Sequence, residues 1–293
     1  LANNIENINF RNVHVVLHCA ALVHQNIEYP YEKYYAINVE YPVSLAKKAK
    51  ASGVKQFVFI STIAVYGEDE QLVCENTECN PVTSYGRSKL EAEKQLQALE
   101  DENFIVSIIR PPMVYGKNAP GNINSLVRLV KKVPILPLGG IDNKRSFVYV
   151  GNLCHLIDAV IRFPVKLRMT GEGELGMTGT DGVSDSEMTA SGIFLASDGK
   201  AISTTRLIAL IADGLGRKVW LVRIPFFESL LKIVKPDFHK RLYGSLVVDN
   251  SYTMRRLFGE AEATLPFSVE NGIRFMIRGE LDPRVKPEDD RGH

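Results

Sequence analysis

Short apolar runs alternate with segments of helical spacing along the first 116 residues. Three runs are rich in β-branched and apolar residues, as expected of strands buried on both faces: 13–24, which turns to small residues, 55–62, and 104–116, which Pro111 and Pro112 stop. Between them, residues 40–54 and 84–100 have helical periodicity. The order strand, helix, strand, helix, strand predicts a parallel α/β sheet.

The later part of the chain is less regular. Residues 121–140 predict a helix followed by a Pro/Gly turn, 145–150 a short strand, 151–163 a helix, and 193–199 a further strand. We therefore predict a sheet domain over 1–164, in which 117–144 contributes to a substrate side. A smaller C-terminal substrate-binding domain would cover 193–278.

Two stretches have compositions foreign to a packed core. Residues 165–192 are crowded with Gly, Ser, Thr and Asp and repeat Met-Thr-Gly, and 279–293 is charged and contains prolines. Neither can bury enough apolar surface to offset the chain entropy lost on folding. We interpret them as a low-complexity insert and a disordered tail.

Bulk composition narrows the classes of function. The chain is 45% hydrophobic and 24% charged, with a formal net charge of +1, which favours neither nucleic acid nor an anionic membrane as a partner. The four cysteines match no zinc spacing and the six histidines offer no ligand set, so no metal site is expected. The sequence has neither a signal peptide nor an apolar run long enough to cross a bilayer, so we expect a cytoplasmic protein with reduced thiols.

Candidate chemistry lies in "SYGRSKLEAEK", where Tyr85 precedes Lys89 by four residues. On a helix this spacing places both side chains on one face. A cation beside a tyrosine favours the phenolate and lowers its pKa, so the tyrosine could exchange a proton with an alcohol or ketone. The hydride of such a reaction needs a nicotinamide. The alternative is a surface helix with no chemical role.

Ser61 and Thr62 end the preceding strand in a hydroxyl pair. Ligands of open α/β sheets bind at the carboxyl ends of strands, so a hydroxyl there could bond the same substrate oxygen as Tyr85. The alternative is that the pair only caps the strand end.

Seven segments in order resemble the extended short-chain dehydrogenase/reductases of the nucleotide-sugar epimerase/dehydratase family. They are "VVLHCAALV", "YYAINVE", "FISTIAVYG", "NPVTSYGRSK", "RPPMVYG", "RSFVYVGNL" and "FLASDGKAIST", with weaker similarity around "RLYGSLVVDNS". The resemblance implies a Rossmann-type fold, a bound NAD or NADP, and a nucleotide-sugar substrate of surface polysaccharide synthesis. It also allows a homodimer through helices that include the one carrying Tyr85.

The resemblance also implies roles for particular residues. Tyr85 would be the acid/base, Lys89 would lower its pKa and bond the nicotinamide ribose, and Thr62 would be the catalytic hydroxyl. The residues implied at the cofactor are Ala20, Ala21, Asn38, Ser61, Tyr85, Lys89 and Pro112. Those implied at the nucleotide sugar are Asn122, Asn124, Arg145 and Arg241, where the guanidinium forks suit a diphosphate. The arginines could instead be solvated, and the asparagines could be loop or capping residues.

Three departures from the family pattern narrow the reaction. Ile63 and Ala64 follow Thr62 where 4,6-dehydratases carry an acid pair, so dehydration is not expected. Met113 stands where galactose-type 4-epimerases usually have asparagine, which points to a different sugar or pose. Gly151 replaces an acid that is common after "YV".

The family also opens with a strand and a Gly-x-x-Gly-x-x-Gly turn for the cofactor pyrophosphate. The printed sequence lacks this motif and begins at Leu1. We therefore expect an N-terminally truncated chain with an incomplete Rossmann-type sheet. The missing part would be roughly 60 residues, or two βαβ-sized pieces. Three hypotheses stay open: a UDP-hexose 4-epimerase, a UDP-4-keto-hexosamine C4 reductase, and an inactive fragment.

Overall fold

The computed structural model describes residues 5–23, 29–68, 70–117, 119, 122–168, 190–259 and 264–279. Most of the predicted insert, from residue 169 to 189, and the predicted tail from residue 280 lie outside the described residues. Among the residues described, no helix has the length and apolar character needed to cross a membrane.

Ten strands occur in the described residues: β1 Val15–His18, β2 Gln56–Ile60, β3 Leu72–Val73, β4 Ile105–Arg110, β5 Met113–Tyr115, β6 Ile135–Leu136, β7 Phe147–Tyr149, β8 Gly192–Leu195, β9 Trp220–Leu221 and β10 Val247–Val248. The α-helices described are α1 Tyr31–Tyr35, α2 Tyr41–Ala51, α3 Ser84–Gln97, α4 Asn122–Lys132, α5 Val150–Arg168, α6 Thr204–Gly214, α7 Phe227–Val234, α8 Pro236–Tyr243, α9 Ser251–Phe258 and α10 Val269–Arg278. A π-helical turn, Ala36–Glu40, joins α1 to α2, and a 3₁₀ turn covers Ile63–Tyr66.

The main sheet has four strands in the order β1-β2-β4-β8, and every pair is parallel. Phe57, Val58 and Phe59 of β2 are fully buried, because neighbouring side chains point to opposite faces and both faces are covered. The predicted parallel α/β sheet is confirmed.

The helix predicted over 40–54 begins earlier, at Tyr31, and contains the π turn. Pro42 is the second residue after this turn. Proline lacks the amide that a regular helix would bond four residues back, so the wider turn absorbs the interruption.

The chain divides into two compact units, each discontinuous in sequence. Unit 1 comprises Leu1–Pro112, His155–Ala196 and Asp249–Thr264, and unit 2 comprises Met113–Cys154, Ser197–Val248 and Leu265–His293. The consecutive domains predicted from the sequence therefore differ from this division. The single run predicted over 104–116 becomes β4 in unit 1 and β5 in unit 2, because two successive prolines cannot donate ladder hydrogen bonds.

Unit 2 is built around two short parallel strand pairs, β5 with β7 and β6 with β9. Its core takes apolar side chains from these strands and from α4, α6 and α10, including Val130, Phe147, Ile208 and Ile273. This unit contains the arginines and asparagines that the sequence predicts at the substrate.

Candidate active site

The first turn of α3 fixes the position of Tyr85. Thr83 caps the helix, because its hydroxyl accepts a hydrogen bond from the Gly86 amide at 3.0 Å. A Cβ on Gly86 would lie 2.6 Å from the Ala64 carbonyl oxygen, so only glycine lets α3 approach the 3₁₀ turn this closely. Thr62 caps that turn, accepting from the Ala64 amide at 3.2 Å. The two caps bring the sequence-predicted pair Tyr85 and Thr62 together.

Tyr85 and Thr62 are joined by a side-chain hydrogen bond. Burial raises the pKa of Tyr85 to about 12, and the bond to Thr62 opposes this shift without cancelling it. The shift is opposite to the depression expected from Lys89. The tyrosine is therefore protonated at neutral pH and is a proton donor before it is a base.

Lys89 is buried, with 1% of its surface exposed, and its Nζ lies 3.7 Å from the centre of the Phe59 ring. Burial lowers its pKa to about 7, against opposing effects of Glu93 and Cys19. Near neutral pH the Lys89 amine carries only part of its positive charge, and it faces the Phe59 ring. It therefore does not lower the pKa of Tyr85.

Two of the residues predicted at the cofactor have a buried polar atom with no hydrogen-bond partner among the described residues: Lys89 Nζ and Ser61 Oγ. Ser61 follows β2 directly and is 3% exposed. Buried donors of this kind are rarely left unpaired in native proteins, so they indicate a place for a ligand with acceptor oxygens. The hydroxyls of a ribose would satisfy both, so the residues present fit the sugar of a nicotinamide cofactor.

His18 contacts the same Phe59 ring as Lys89, and the sequence did not reveal the effect of Lys89 on this histidine. Its ring stacks on Phe59 and Phe57 with centroid distances of 5.8 and 6.1 Å, so it packs within the sheet. Burial, and secondly the charge of Lys89, lower its pKa to about 4. His18 is thus neutral at physiological pH and adds no positive charge beside Lys89.

The chain after β1 carries Ala20, which is exposed, and Ala21, which is half-buried. Asn38, in the π turn, holds this segment: its Oδ1 accepts from the Leu22 amide at 2.7 Å and its Nδ2 donates to the Leu22 carbonyl at 3.0 Å. The same Nδ2 donates to Ser88 Oγ on α3 at 3.0 Å. The observed contacts of Asn38 therefore position the segment, and its predicted contact with a cofactor stays a prediction.

A buried ion pair links α3 to β4. Arg110 at the end of β4 donates from Nη2 to Glu93 Oε2 at 2.5 Å and from Nη1 to the Tyr66 hydroxyl at 2.7 Å. Glu93 lies one turn after Lys89, and its spacing of four is the sequence signal that could have revealed it. Its carboxylate is engaged by Arg110, and no hydrogen bond from Lys89 reaches it among the described contacts. Pro112, also predicted at the cofactor, is buried just after this strand.

The residues predicted at the substrate lie in unit 2. Arg145 donates from Nη1 to the Arg241 carbonyl at 2.8 Å, so the structure brings these two residues together, and burial lowers the pKa of Arg145. The Arg241 side chain is exposed. Asn124 on α4 donates instead to the Ala119 carbonyl, and the side chain of Asn122 lies outside the described residues.

The structure shows the surroundings of Gly151 and Met113, two positions at which the sequence departs from the family pattern. A Cβ on Gly151 would lie 2.6 Å from Tyr149 Cε1 and 2.9 Å from Phe267 Cε2, so no acid fits at this position without rearrangement. Met113 is partly buried and packs on the core of unit 2. Within the described residues, no group of three His, Cys, Asp or Glu side chains is arranged to bind a metal ion.

Comparison with known proteins shows which sequences this chain is similar to. The chain is 38% identical over 266 residues to the UDP-glucose 4-epimerase of Vibrio cholerae, covering 87% of this chain and 74% of that protein. The chain is also similar to the N-acetyl-alpha-D-glucosaminyl-diphospho-ditrans,octacis-undecaprenol 4-epimerase of Escherichia coli O157:H7. The two are 30% identical over 140 residues, which cover 47% of this chain and 42% of that protein.

Solved structures confirm the fold. The UDP-glucuronic acid 4-epimerase of Bacillus cereus, in complex with NAD, aligns with a TM-score of 0.62 and 19% identity, covering 94% of this chain and 77% of that one. The dTDP-4-dehydrorhamnose reductase of Clostridium acetobutylicum aligns with a TM-score of 0.65 and 21% identity, covering 94% and 83%. The model of the NAD dependent epimerase/dehydratase family matches residues 2–170. The chain belongs to this family.

Proposed function

We propose that the chain is a nucleotide-sugar oxidoreductase acting at sugar C4, as a UDP-hexose 4-epimerase with bound NAD. The observation that carries the proposal is the Tyr85–Thr62 hydrogen bond beside the buried Lys89 amine and Ser61 hydroxyl. The relative from Vibrio cholerae, described as a UDP-glucose 4-epimerase and aligned over most of both chains, supports the substrate class.

The site residues divide the proton chemistry between them. Tyr85 is protonated at neutral pH, so it can donate to the oxygen of a C4 ketone, and the hydrogen bond from Thr62 stabilises the phenolate that this leaves. In the reverse direction the phenolate accepts the proton of the C4 hydroxyl. A nicotinamide bound at the site would accept and return the hydride. An epimerase needs both directions within one turnover, and the same two hydroxyls serve both.

Cofactor binding would use the carboxyl ends of β1 and β2. We propose that Lys89 and Ser61 donate hydrogen bonds to the cofactor ribose, which satisfies their buried polar atoms. Ala20 and Ala21 leave room for close approach, Asn38 holds the adjacent backbone, and Pro112 flanks the nicotinamide. NAD is the cofactor proposed, and NADP remains the alternative.

The nucleotide diphosphate would bind in unit 2. We propose that the Arg145 and Arg241 guanidinium groups contact the phosphates, with Asn122 or Asn124 hydrogen-bonding the nucleotide sugar. Support comes from Arg145: in the described part of the chain, its guanidinium donates hydrogen bonds only through Nη1, to the Arg241 and Gly244 carbonyls. A homodimer formed through α3 is a further proposal, which sedimentation equilibrium would test.

The proposal is tested by incubating the chain with UDP-glucose and following UDP-galactose by chromatography. Turnover without added reduced cofactor, abolished in Tyr85→Phe, supports the epimerase. If turnover requires stoichiometric NADH or NADPH and a 4-keto sugar, the chain is a C4 reductase. If calorimetry detects no nicotinamide binding and no sugar is converted, the hypothesis of an inactive fragment stands.

A further inference from the structure

Unit 2 exposes a run of large apolar side chains to solvent. Phe226 is 86% exposed, Ile233 81%, Val234 63% and Leu230 58%. All four belong to α7 or immediately precede it. Single exposed apolar residues are ordinary on a protein surface, but several on one eight-residue helix mark an interaction site.

The geometry of α7 separates two apolar stripes. Phe227 and Leu231 are four residues apart and pack on the core of unit 2. Phe226, Leu230 and Ile233 follow the spacing of four and three, which places them on the neighbouring side of the helix. We call Phe226, Leu230, Ile233 and Val234 the outer face of α7. Because the inner stripe already anchors the helix, the fold does not require the outer face to be apolar.

Charge along the chain segment that contains this helix is strongly one-sided. Residues 217–241 contain seven Lys and Arg side chains, against only Glu228 and Asp237, while the whole chain has a formal net charge of +1. Lys232 and Lys235 are exposed and lie on or directly after α7. The near-zero total charge, from which the sequence predicted no membrane partner, thus conceals a locally basic, apolar surface.

We propose that the outer face of α7 docks on an anionic lipid bilayer. The apolar side chains would enter the boundary between headgroups and acyl chains, and Lys232 and Lys235 would extend to the lipid phosphates. A protein partner fits less well, because lysine is depleted from protein–protein interfaces while aromatic residues and arginine are enriched. The helix is eight residues long, so this contact is peripheral.

The experiment uses the full chain and two kinds of vesicle, phosphatidylcholine alone and phosphatidylcholine with phosphatidylglycerol. In cosedimentation, the chain should bind the anionic vesicles and release them in high salt. Leu230→Ser with Ile233→Ser should weaken binding by about tenfold or more, since two apolar anchors are lost. Lys232→Glu with Lys235→Glu should weaken it on anionic vesicles by about tenfold.

Two matched controls are available in unit 1. Leu72→Ser removes a leucine that is 56% exposed, close to the exposure of Leu230, and Lys47→Glu reverses an exposed lysine. Both should bind like the unsubstituted chain. The substituted positions are exposed, so unchanged circular dichroism spectra are expected throughout.

Three results would overturn the proposal. They are no binding of the unsubstituted chain to anionic vesicles, equal binding to neutral vesicles, or binding that Leu230→Ser with Ile233→Ser leaves unchanged. Self-association that this double variant abolishes, in a chain that ignores vesicles, would assign the outer face to a second copy and also refute the proposal. None of these readouts depends on the epimerase activity.

Discussion

The two units differ in whether their buried polar side chains have hydrogen-bond partners. Five buried side chains have a polar atom without a hydrogen-bond partner among the described residues, and all five lie in unit 1: His18, Tyr34, Gln56, Ser61 and Lys89. Within the described part of unit 2, no buried side chain is left in this state. Since an unpaired buried polar atom costs stability, the difference calls for a physical explanation.

In unit 2, buried polar side chains find their hydrogen-bond partners within the protein. The Asp198 carboxylate accepts from the Tyr115 hydroxyl at 2.8 Å, the Tyr149 amide at 2.9 Å and Asn152 Nδ2 at 2.7 Å. Asn143 donates to the Leu242 and Gly244 carbonyls and accepts from the Thr204 amide. These networks tie strands to loops, so they stabilise the unit without a ligand.

Position decides which unpaired atoms in unit 1 concern function. Lys89 and Ser61 lie beside the carboxyl end of β2 and next to the Tyr85–Thr62 pair, where open α/β sheets bind ligands. His18 ends β1 at the same edge of the sheet, whereas Tyr34 lies on α1 and Gln56 begins β2 at its opposite end. The comparison teaches that an unsatisfied group indicates a ligand when the topology also directs a ligand there.

The largest expected effect is on catalysis in unit 1. Tyr85→Phe removes the acid/base hydroxyl and should lower kcat by about a thousandfold. The matched control is Tyr34→Phe, which removes a buried hydroxyl on α1 that has no hydrogen-bond partner among the described residues. Steady-state kinetics should show the control unchanged, and an active Tyr85→Phe variant would refute the assignment.

Next comes the stability of unit 2. Asp198→Ala leaves three donors without their acceptor and should lower the free energy of unfolding by about 3 kcal/mol. Asp158→Ala breaks only an exposed ion pair with Arg162 and should cost less than about 0.5 kcal/mol. Urea denaturation distinguishes the two. Equal losses would mean that the Asp198 network does not stabilise the unit.

Lys89→Met should do the opposite in unit 1, raising the free energy of unfolding by about 2 kcal/mol while impairing activity. The pKa of Lys89 falls from 10.5 to about 7 on folding, so between these pH values the unfolded chain holds a proton that the folded chain has released. Raising the pH therefore stabilises the unsubstituted chain.

The gain from Lys89→Met should accordingly be complete below about pH 7 and disappear as the pH approaches 10.5. Denaturation curves at several pH values measure this. A gain that does not change with pH would show that the folded chain does not depress the pKa of this lysine.

The smallest effects come from two buried serines. Ser146 in unit 2 is 5% exposed and its Oγ accepts from the Val248 amide at 2.9 Å, so Ser146→Ala should cost about 1 kcal/mol. Ser61 is equally buried but unpaired, so Ser61→Ala should change the free energy of unfolding by less than about 0.5 kcal/mol. Thermal denaturation compares them, and a larger loss for Ser61→Ala would break the contrast between the units.

Much of the parallel sheet was predictable because its strands are short apolar runs and its helices have clear periodicity. The candidate pair of Tyr85 and Lys89 could be singled out because the two residues are four apart on a helix, and Thr62 because it follows a strand; their catalytic roles stay a proposal. The effect of Lys89 on His18, the pair of Glu93 with Arg110 and the network of Asp198 depend on contacts between distant segments. Local patterns do not encode such contacts.

The sequence by itself determined the family, the order of strands and helices, and the residue types available for proton transfer. Only the tertiary structure decided the state of those residues. Folding places the Lys89 amine over Phe59, inside a core, and joins Tyr85 to Thr62. Burial then moves the pKa of Tyr85 upward, although the sequence suggested a fall, because desolvation acts on the folded site and not on the spacing of residues.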